Sequence, residues 1–299
     1  MRNFWFFVLF LLLQGMISVH ASALNDAAGE GDVAAIKAAL DSGADINQAT
    51  ERTTPLCEAI ANGHLEAAQL LIQRGADVNR AGKFRRTPLA IAVMKNRADI
   101  VKLLLDSGAE PDTAANGLTP LQSAADSGCV ECVQSLVEAG ADVNLLTSNG
   151  YPPIHLAKKN GHEEIVAYLR SHGFKKPALP SIAASLKAAE PKAGEETFRQ
   201  TCGPCHRSMT EVSRNVAPPL WAVVGRDKAS VEGFGYSLAM KEDEGAWTYD
   251  ALNAFLFNPA QTVPGTEMLF PGMPEETKRA EVIAYLRTLN DSPLPLPDP

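Results

Sequence analysis

Apolar residues between positions 24 and 174 recur in short groups that alternate with polar turns. One such group is Ile100-Val101-Lys102-Leu103-Leu104-Leu105, a helix with an apolar face. Thr-Pro-Leu triplets begin at residues 54, 87 and 119, and a Pro-Pro-Ile triplet follows at 152, so the intervals are 33, 32 and 33 residues. Thr as a cap and Pro at the first helical position favour a helix start. The pattern predicts stacked helix pairs, because one pair alone cannot bury its apolar face.

A second marker keeps the same period as the first. Gly-Ala-Asp or Gly-Ala-Glu triplets begin at residues 43, 75, 108 and 140, and such a glycine can end a helix in a left-handed conformation. With the two markers in step, residues 24–174 resemble the ankyrin repeat family as five units. The first and last units depart from the pattern and are expected to cap the array. The resemblance implies a protein-binding surface without catalysis.

One predicted hairpin tip of this array is strongly basic in an otherwise acidic protein. It places four positive charges around one aromatic ring, in Arg80, Lys83, Phe84, Arg85 and Arg86. This tip could dock an acidic partner protein or the acidic C-terminal half of the chain. A solvated loop is the alternative.

Two cysteines in the array have a spacing that permits a disulfide. Cys129 and Cys132 lie at the start of a second helix, where a redox-active disulfide is conceivable. Cys132 nevertheless falls where the repeat requires a buried apolar residue, as does Cys57. A structural role is therefore the preferred interpretation.

Cys202, Cys205 and His206 form a Cys-x-x-Cys-His motif, the pattern of covalent haem attachment. Each thiol can add to one vinyl group of the porphyrin, while the imidazole binds the iron. The alternative is a disulfide or half of a zinc site, but no second Cys pair or His cluster lies nearby in the sequence to complete four ligands. We predict one haem c, held by two thioethers.

The surroundings of this motif resemble class I cytochromes c of the mitochondrial-like type over residues 192–290. A helix with Gly194 and Phe198 leads into the motif, and a C-terminal helix contains Tyr285. In the family these two helices cross, with a glycine at the close approach and aromatic rings around it.

The resemblance also implies the second iron ligand. Met268 ends the stretch Pro264-Gly265-Thr266-Glu267-Met268, which is similar to the family's ligand loop, and its separation from Cys205 is that of the family. Thioether sulfur favours ferrous iron, so His/Met ligation raises the reduction potential. Met273 is the reserve ligand, and Met209 and Met240 are the other methionines after the motif.

Further haem contacts are implied by the same resemblance. The carbonyl of Pro218 is expected to accept a hydrogen bond from the imidazole that binds the iron. Hydrogen bonds or charge for the haem propionates are expected from Arg226, Tyr236, Ser237, Trp247 and Thr266.

The chain departs from the family in two places. Phe255 and Met240 replace a tyrosine and an asparagine near the methionine ligand, which removes hydrogen bonds there. The lysines of the mitochondrial docking face are also absent, since Ala260, Glu267, Glu275 and Glu276 occupy that region. Partners that need a positive ring around the haem edge are expected to bind poorly.

The remaining histidines fall at positions of the ankyrin pattern. They are expected to form local hydrogen bonds and not to bind iron: His64, His155, His162 and His172.

The N-terminus has the features of a secretory signal peptide. Arg2 precedes an apolar run over residues 4–13, and small residues allow cleavage after Ala21 or Ala23. Export to the periplasm agrees with the haem motif. An uncleaved segment, the alternative, would tether the protein to the membrane. The net charge of −8 gives no indication of a nucleic acid or an anionic membrane as partner.

These observations predict an all-α protein, an ankyrin helical solenoid followed by a class I cytochrome c helical domain. The expected parts are a signal peptide (1–23), five repeats (24–174), a linker (175–191), the haem domain (192–290) and a Pro-rich tail (291–299). The expected function is electron transfer, with the array docking the redox partner, and not enzymatic catalysis. The alternative is a haem enzyme or sensor that reduces peroxide or binds a diatomic gas through a labile Met268.

Overall fold

The computed structural model describes residues 23–49, 53–82, 85–207, 210–211 and 217–298. These residues form helices, turns and two isolated bridges but no β-strand, which confirms the all-α prediction. Residues 1–22 of the predicted signal peptide lie outside the described residues, as do Lys83, Phe84 and Met209. The chain divides into two compact units between Leu145 and Leu146. The fifth repeat therefore belongs to the same unit as the haem motif.

The first unit consists of helix pairs. Its helices are α1 (23–30), α2 (Val33–Asp41), α3 (Pro55–Ala61), α4 (Leu65–Gln73), α5 (Pro88–Met94), α6 (Ala98–Asp106), α7 (Pro120–Ser127) and α8 (Val130–Glu138). Equivalent helices of successive pairs pack together, α3 on α5 and α5 on α7, and α4 on α6 and α6 on α8. The apolar face that one pair exposes is covered by the next, and each of these helices has one fully buried leucine: Leu56, Leu71, Leu89, Leu104, Leu121 and Leu136.

The Thr-Pro-Leu triplets start helices in the predicted way. The hydroxyls of Thr54, Thr87 and Thr119 each accept a hydrogen bond from the backbone N–H three residues later, at 3.2 Å. Proline occupies the first turn of each helix. Because both cap and proline act locally, these helix starts are encoded by adjacent residues.

The cysteines of the first unit are buried. Cys57 is a free thiol in the core, and burial raises its pKa. Cys129 and Cys132 are joined in a disulfide with the Cα atoms 5.3 Å apart. Cys132 has no exposed surface and Cys129 has little. The pair is therefore both a disulfide and part of the core, and the sequence had presented these as alternatives.

The second unit begins with the fifth repeat and continues through the haem motif. Its helices are α9 (Pro153–Lys159), α10 (Glu163–Ser171), α11 (Ala183–Ala188), α12 (Pro191–Thr201), α13 (Leu238–Glu242), α14 (Tyr249–Phe257), α15 (Pro259–Thr262) and α16 (Glu276–Thr288). The predicted linker contains α11, whose Leu186 and the preceding Ile182 are buried in the core of this unit.

Helices α12 and α16 cross at close range. A Cβ atom at Gly194 would collide with the backbone carbonyl of Glu281, so only glycine fits at the crossing. The rings of Phe198 and Tyr285 pack beside it with centroids 5.3 Å apart. The predicted helix crossing is thus present. Helix α12 ends at Thr201, and the haem motif follows directly.

No helix among the described residues combines the length and the apolar composition that crossing a bilayer requires.

Candidate haem-binding site

The two cysteines of the motif lie at the C-terminal end of α12. Cys202 caps the helix, and the N–H groups of Cys205 and His206 donate to its carbonyl at 3.1 and 2.8 Å. This tight turn places both thiols and the imidazole within one turn of backbone. The thiols are free, with Cys202 half-buried and Cys205 exposed. Burial, with a smaller contribution from Cys205, raises the pKa of Cys202 to about 11.

The imidazole of His206 is oriented by a backbone carbonyl. Nδ1 of His206 lies 2.8 Å from the Pro218 carbonyl oxygen, the contact that the resemblance implies. A carbonyl can only accept, so Nδ1 carries the proton and Nε2 keeps its lone pair. Burial lowers the pKa of His206, although the bond to Pro218 opposes this shift. The ring is therefore in the neutral form that binds a metal.

Arg226 holds the segment that orients His206. Its Nη1 and Nη2 atoms donate to the carbonyls of Trp221 and Pro219 at 2.8 and 3.0 Å. Its Nε atom is buried and has no hydrogen-bond partner among the described residues. Burial lowers the pKa of Arg226, with Tyr236 opposing. A half-buried guanidinium with a buried, unused Nε donor is suited to binding an anion.

Three of the five predicted propionate contacts lie near one another. The backbones of Arg226 and Trp247 are hydrogen-bonded at 2.9 Å, and Arg226 interacts electrostatically with Tyr236. Trp247 is buried against Phe255, with ring centroids 4.9 Å apart.

The two remaining predicted residues use their hydroxyls locally. Ser237 caps α13 by accepting from the Met240 N–H at 3.3 Å. Thr266 accepts from the Met268 N–H at 3.3 Å. Their assigned haem contacts stay predictions.

Met268 lies in a structured loop at the edge of the core. Gly265 has a φ of +89°, and the Thr266 N–H donates to the Val263 carbonyl at 3.0 Å. The Met268 side chain is half-buried and packs against the core. Met240 and Met273 are instead buried within that core. Among the described methionines that follow the haem motif, Met268 is the most exposed.

Comparisons with known proteins support both the ankyrin repeats and the cytochrome c part of the chain. A family model described as ankyrin repeats in three copies matches residues 8–82, 24–115 and 89–179, more than half of the chain. A cytochrome c homolog of Bradyrhizobium diazoefficiens is 36% identical over 160 residues, 52% of this chain and 86% of that protein. The chain belongs to the ankyrin repeat family and to the cytochromes c.

Other relatives cover the haem half alone. Cytochrome c of Euglena viridis is 40% identical over 98 residues, 33% of this chain and 95% of that protein. The cytochrome c-type cyt cy of Rhodobacter capsulatus is 46% identical over 113 residues, 38% of this chain. The chain spans 56% of that relative's length. These names agree with the prediction that the chain is not an enzyme.

Membership of the cytochromes c implies a covalently attached haem c, and the residues present fit this group. The two motif thiols are free to form thioethers. The neutral His206 keeps Nε2 available for iron, and the unpartnered Nε of Arg226 can donate to a propionate.

Two side chains contact the backbone near Met268 in ways that no sequence pattern predicts. Arg279 on α16 is buried and donates to the carbonyls of Met273 and Pro274 at 2.8 and 2.6 Å, and to Asn253 Oδ1 at 2.7 Å. It holds the segment that follows Met268.

The expectation of local hydrogen bonding was wrong for His64, whose Nε2 contacts the Gly29 carbonyl 35 positions earlier. It was also wrong for His155, which provides the second contact. Its Nδ1 accepts from the backbone N–H of Gly265 at 3.1 Å, although the two residues are 110 positions apart. A partner so distant cannot be read from the repeat pattern.

Proposed function

We propose that this protein is a periplasmic electron carrier of the class I cytochrome c type, with a single haem bound through Cys202 and Cys205. His206 and Met268 would hold its iron in this proposal. When bound, the haem supplies an iron that takes up and releases one electron. The observation that carries the proposal is the hydrogen bond from His206 Nδ1 to Pro218, because it leaves Nε2 ready to bind iron beside two free thiols.

Each residue around the motif has a separate task in this proposal. The Pro218 carbonyl fixes the orientation and raises the basicity of His206. Arg226 holds the Pro218 segment and offers its buried Nε donor to a propionate. Met268 would bind the iron together with His206 and would leave no free position for an exogenous ligand. A site with both positions filled favours a carrier over an enzyme.

The periplasmic location is supported by two features of the chain. The N-terminus has the features of a signal peptide. Cys129 and Cys132 are disulfide-bonded, and such bonds persist in oxidising compartments.

The ankyrin array serves as the docking module for the redox partner in this proposal. Arg80 and Arg85 are exposed at the basic tip of the array. An acidic surface on the partner would be complementary to this tip.

The assignment of the ligand is tested by replacing methionines with leucine, which preserves volume. Met268→Leu should abolish the ferric sulfur-to-iron charge-transfer band, because the sulfur that binds iron is removed. Met273→Leu is the matched control and should keep the band. Loss of the band in the control together with retention in Met268→Leu would overturn the assignment of Met268.

A labile Met268 would instead favour the alternative, a haem enzyme or sensor. Phe255 and Met240 are both buried near this part of the core and offer no side-chain hydrogen-bond donor to the sulfur. Carbon monoxide binding by the reduced protein separates the two functions. A carrier with firm ligation should bind carbon monoxide weakly, whereas tight and rapid binding would favour the sensor or enzyme.

A further inference from the structure

We propose that His155 of the fifth ankyrin repeat is a positioning residue for the Met268 ligand, so that this repeat controls ligation of the haem iron. The inference rests on the proposed function, since it takes Met268 as an axial ligand. His155 lies outside residues 192–290, which the sequence predicts to be the haem domain.

His155 is held rigidly on α9. Its ring is 2% exposed and stacks on Tyr151, with centroids 4.5 Å apart and planes 12° apart. Nδ1 lies 3.1 Å from the Gly265 backbone nitrogen, which can only donate. Nδ1 must therefore be unprotonated, and the neutral ring provides the acceptor for an N–H group of the ligand loop.

Gly265 fits closely between the fifth repeat and α13. A Cβ atom at this position would lie 2.5 Å from Lys158 Cγ and 3.0 Å from Ala239 Cβ. The positive φ of Gly265 is also one that other residues rarely adopt. The backbone of the ligand loop is thus in direct contact with α9 at the residue to which His155 binds.

The fifth repeat is anchored to the surroundings of the loop by additional polar contacts. Lys158, whose side chain is 6% exposed, pairs with Glu242 on α13. On the other side, Asn258 Nδ2 donates to the Gly150 carbonyl at 2.9 Å. Asn258 precedes the ligand loop in the chain and Glu242 lies on a separate helix, so the two anchors are independent of the bond from Gly265.

The position of Gly265 connects these contacts to the iron ligand. Met268 follows three residues later, and its N–H donates to the Thr266 hydroxyl. A displacement of Gly265 is therefore expected to displace Met268. Removing the His155 acceptor leaves the Gly265 N–H without its partner. We expect the loop to open about tenfold more often, since a part-buried donor without a partner disfavours the closed state by about this factor.

The test uses the full-length holoprotein and three substitutions of His155. His155→Asn places an amide oxygen near the position of Nδ1 and should keep the bond to Gly265. His155→Gln is equally polar but extends its amide towards the position of Nε2, and His155→Leu removes the acceptor. Comparing Asn with Gln separates the hydrogen bond from general damage to the fold, because both replace the ring with an amide.

Three measurements are made on each variant. These are the carbon monoxide association rate of the reduced protein, the pH at which the ferric charge-transfer band disappears, and the exchange rate of the Gly265 amide hydrogen. His155→Leu and His155→Gln should raise the carbon monoxide rate and the exchange rate about tenfold, and should lose the band at a less extreme pH. His155→Asn should resemble the unsubstituted protein.

A matched control is available in another repeat. His64 contacts the Gly29 carbonyl through Nε2 at 3.0 Å, so His64→Leu removes a similar histidine contact within the first unit. It should leave all three measurements unchanged.

The outcomes separate this inference from the proposed function. If the unsubstituted protein shows no sulfur-to-iron band, the ligand assignment fails and the inference fails with it. If the band is present and the Leu and Gln variants match the unsubstituted protein, only the role of His155 is overturned. Equal effects of Asn and Gln would also overturn it, because the hydrogen bond would then not be the cause.

Discussion

Each compact unit contains a pair of cysteines with the same spacing, and the two pairs differ in their chemistry. Cys129 and Cys132 lie at the N-terminal end of α8, where both are buried and bonded to each other. Cys202 and Cys205 lie at the C-terminal end of α12, where Cys205 is exposed and both thiols are free. The spacing alone is therefore ambiguous. The two pairs differ in helix end and in burial, and these differences accompany a structural disulfide in one case and free thiols for covalent attachment in the other.

The first way to test this comparison is to remove each pair in turn. Cys202→Ser with Cys205→Ser should abolish covalent haem attachment completely, because no thiol remains to form a thioether. Covalent haem is measured by retention of colour on the denatured polypeptide. A denatured double variant that keeps its haem would contradict the assignment of these cysteines.

The matched control is Cys129→Ala with Cys132→Ala. It should keep a normal haem spectrum, while the free energy of unfolding falls by about 2 kcal/mol, as expected for a disulfide that closes a short loop. Denaturant unfolding of the reduced and oxidised protein checks the magnitude. A change in the haem spectrum of this control would show that the two pairs are not separate in function.

The second test disturbs the helix crossing that positions the haem motif. Gly194→Val should lower the free energy of unfolding by at least about 3 kcal/mol, because its side chain must displace the Glu281 backbone. Thermal unfolding followed by helical circular dichroism gives the measurement. Gly235→Ala is the control, since a Cβ atom there would meet no atom within 4 Å. Similar losses in both variants would remove the argument for a close crossing.

The third test uses the acid stability of the second unit. Burial, followed by the positive charge of Lys159, lowers the pKa of His155 from 6.5 to about 4. Lys158, which lies next to Lys159 in the sequence, is paired with Glu242 of α13. The unfolded state binds the proton on His155 more readily than the folded state does. The free energy of unfolding should therefore fall as the pH falls from 6.5 to 4, and His155 should cause no further decrease below pH 4.

The size of this effect follows from the difference in pKa, and is at most about 3 kcal/mol. Unfolding free energies at several pH values, compared between the protein and His155→Leu, isolate the contribution. The variant should show a flatter dependence between pH 6.5 and 4. Parallel curves would mean that His155 already titrates normally in the folded state.

Patterns among neighbouring residues were sufficient to predict the architecture. Thr54, Thr87 and Thr119 cap helices through residues three positions away, so the repeat could be predicted from adjacent residues. Gly194 and its aromatic neighbours also predicted a helix crossing that the structure contains. The Cys-x-x-Cys-His motif indicated haem attachment because its reactive groups lie within five consecutive residues.

The sequence by itself thus determined the two families of the chain, the helix starts and the residues of the haem motif. Only the tertiary structure decided that Cys129 and Cys132 form a disulfide, that Arg279 holds the segment after Met268, and that His155 binds Gly265. The physical reason is distance along the chain. Caps and motifs depend on neighbouring residues, whereas partners 110 positions apart are brought together only when helices pack and leave a buried donor beside an acceptor.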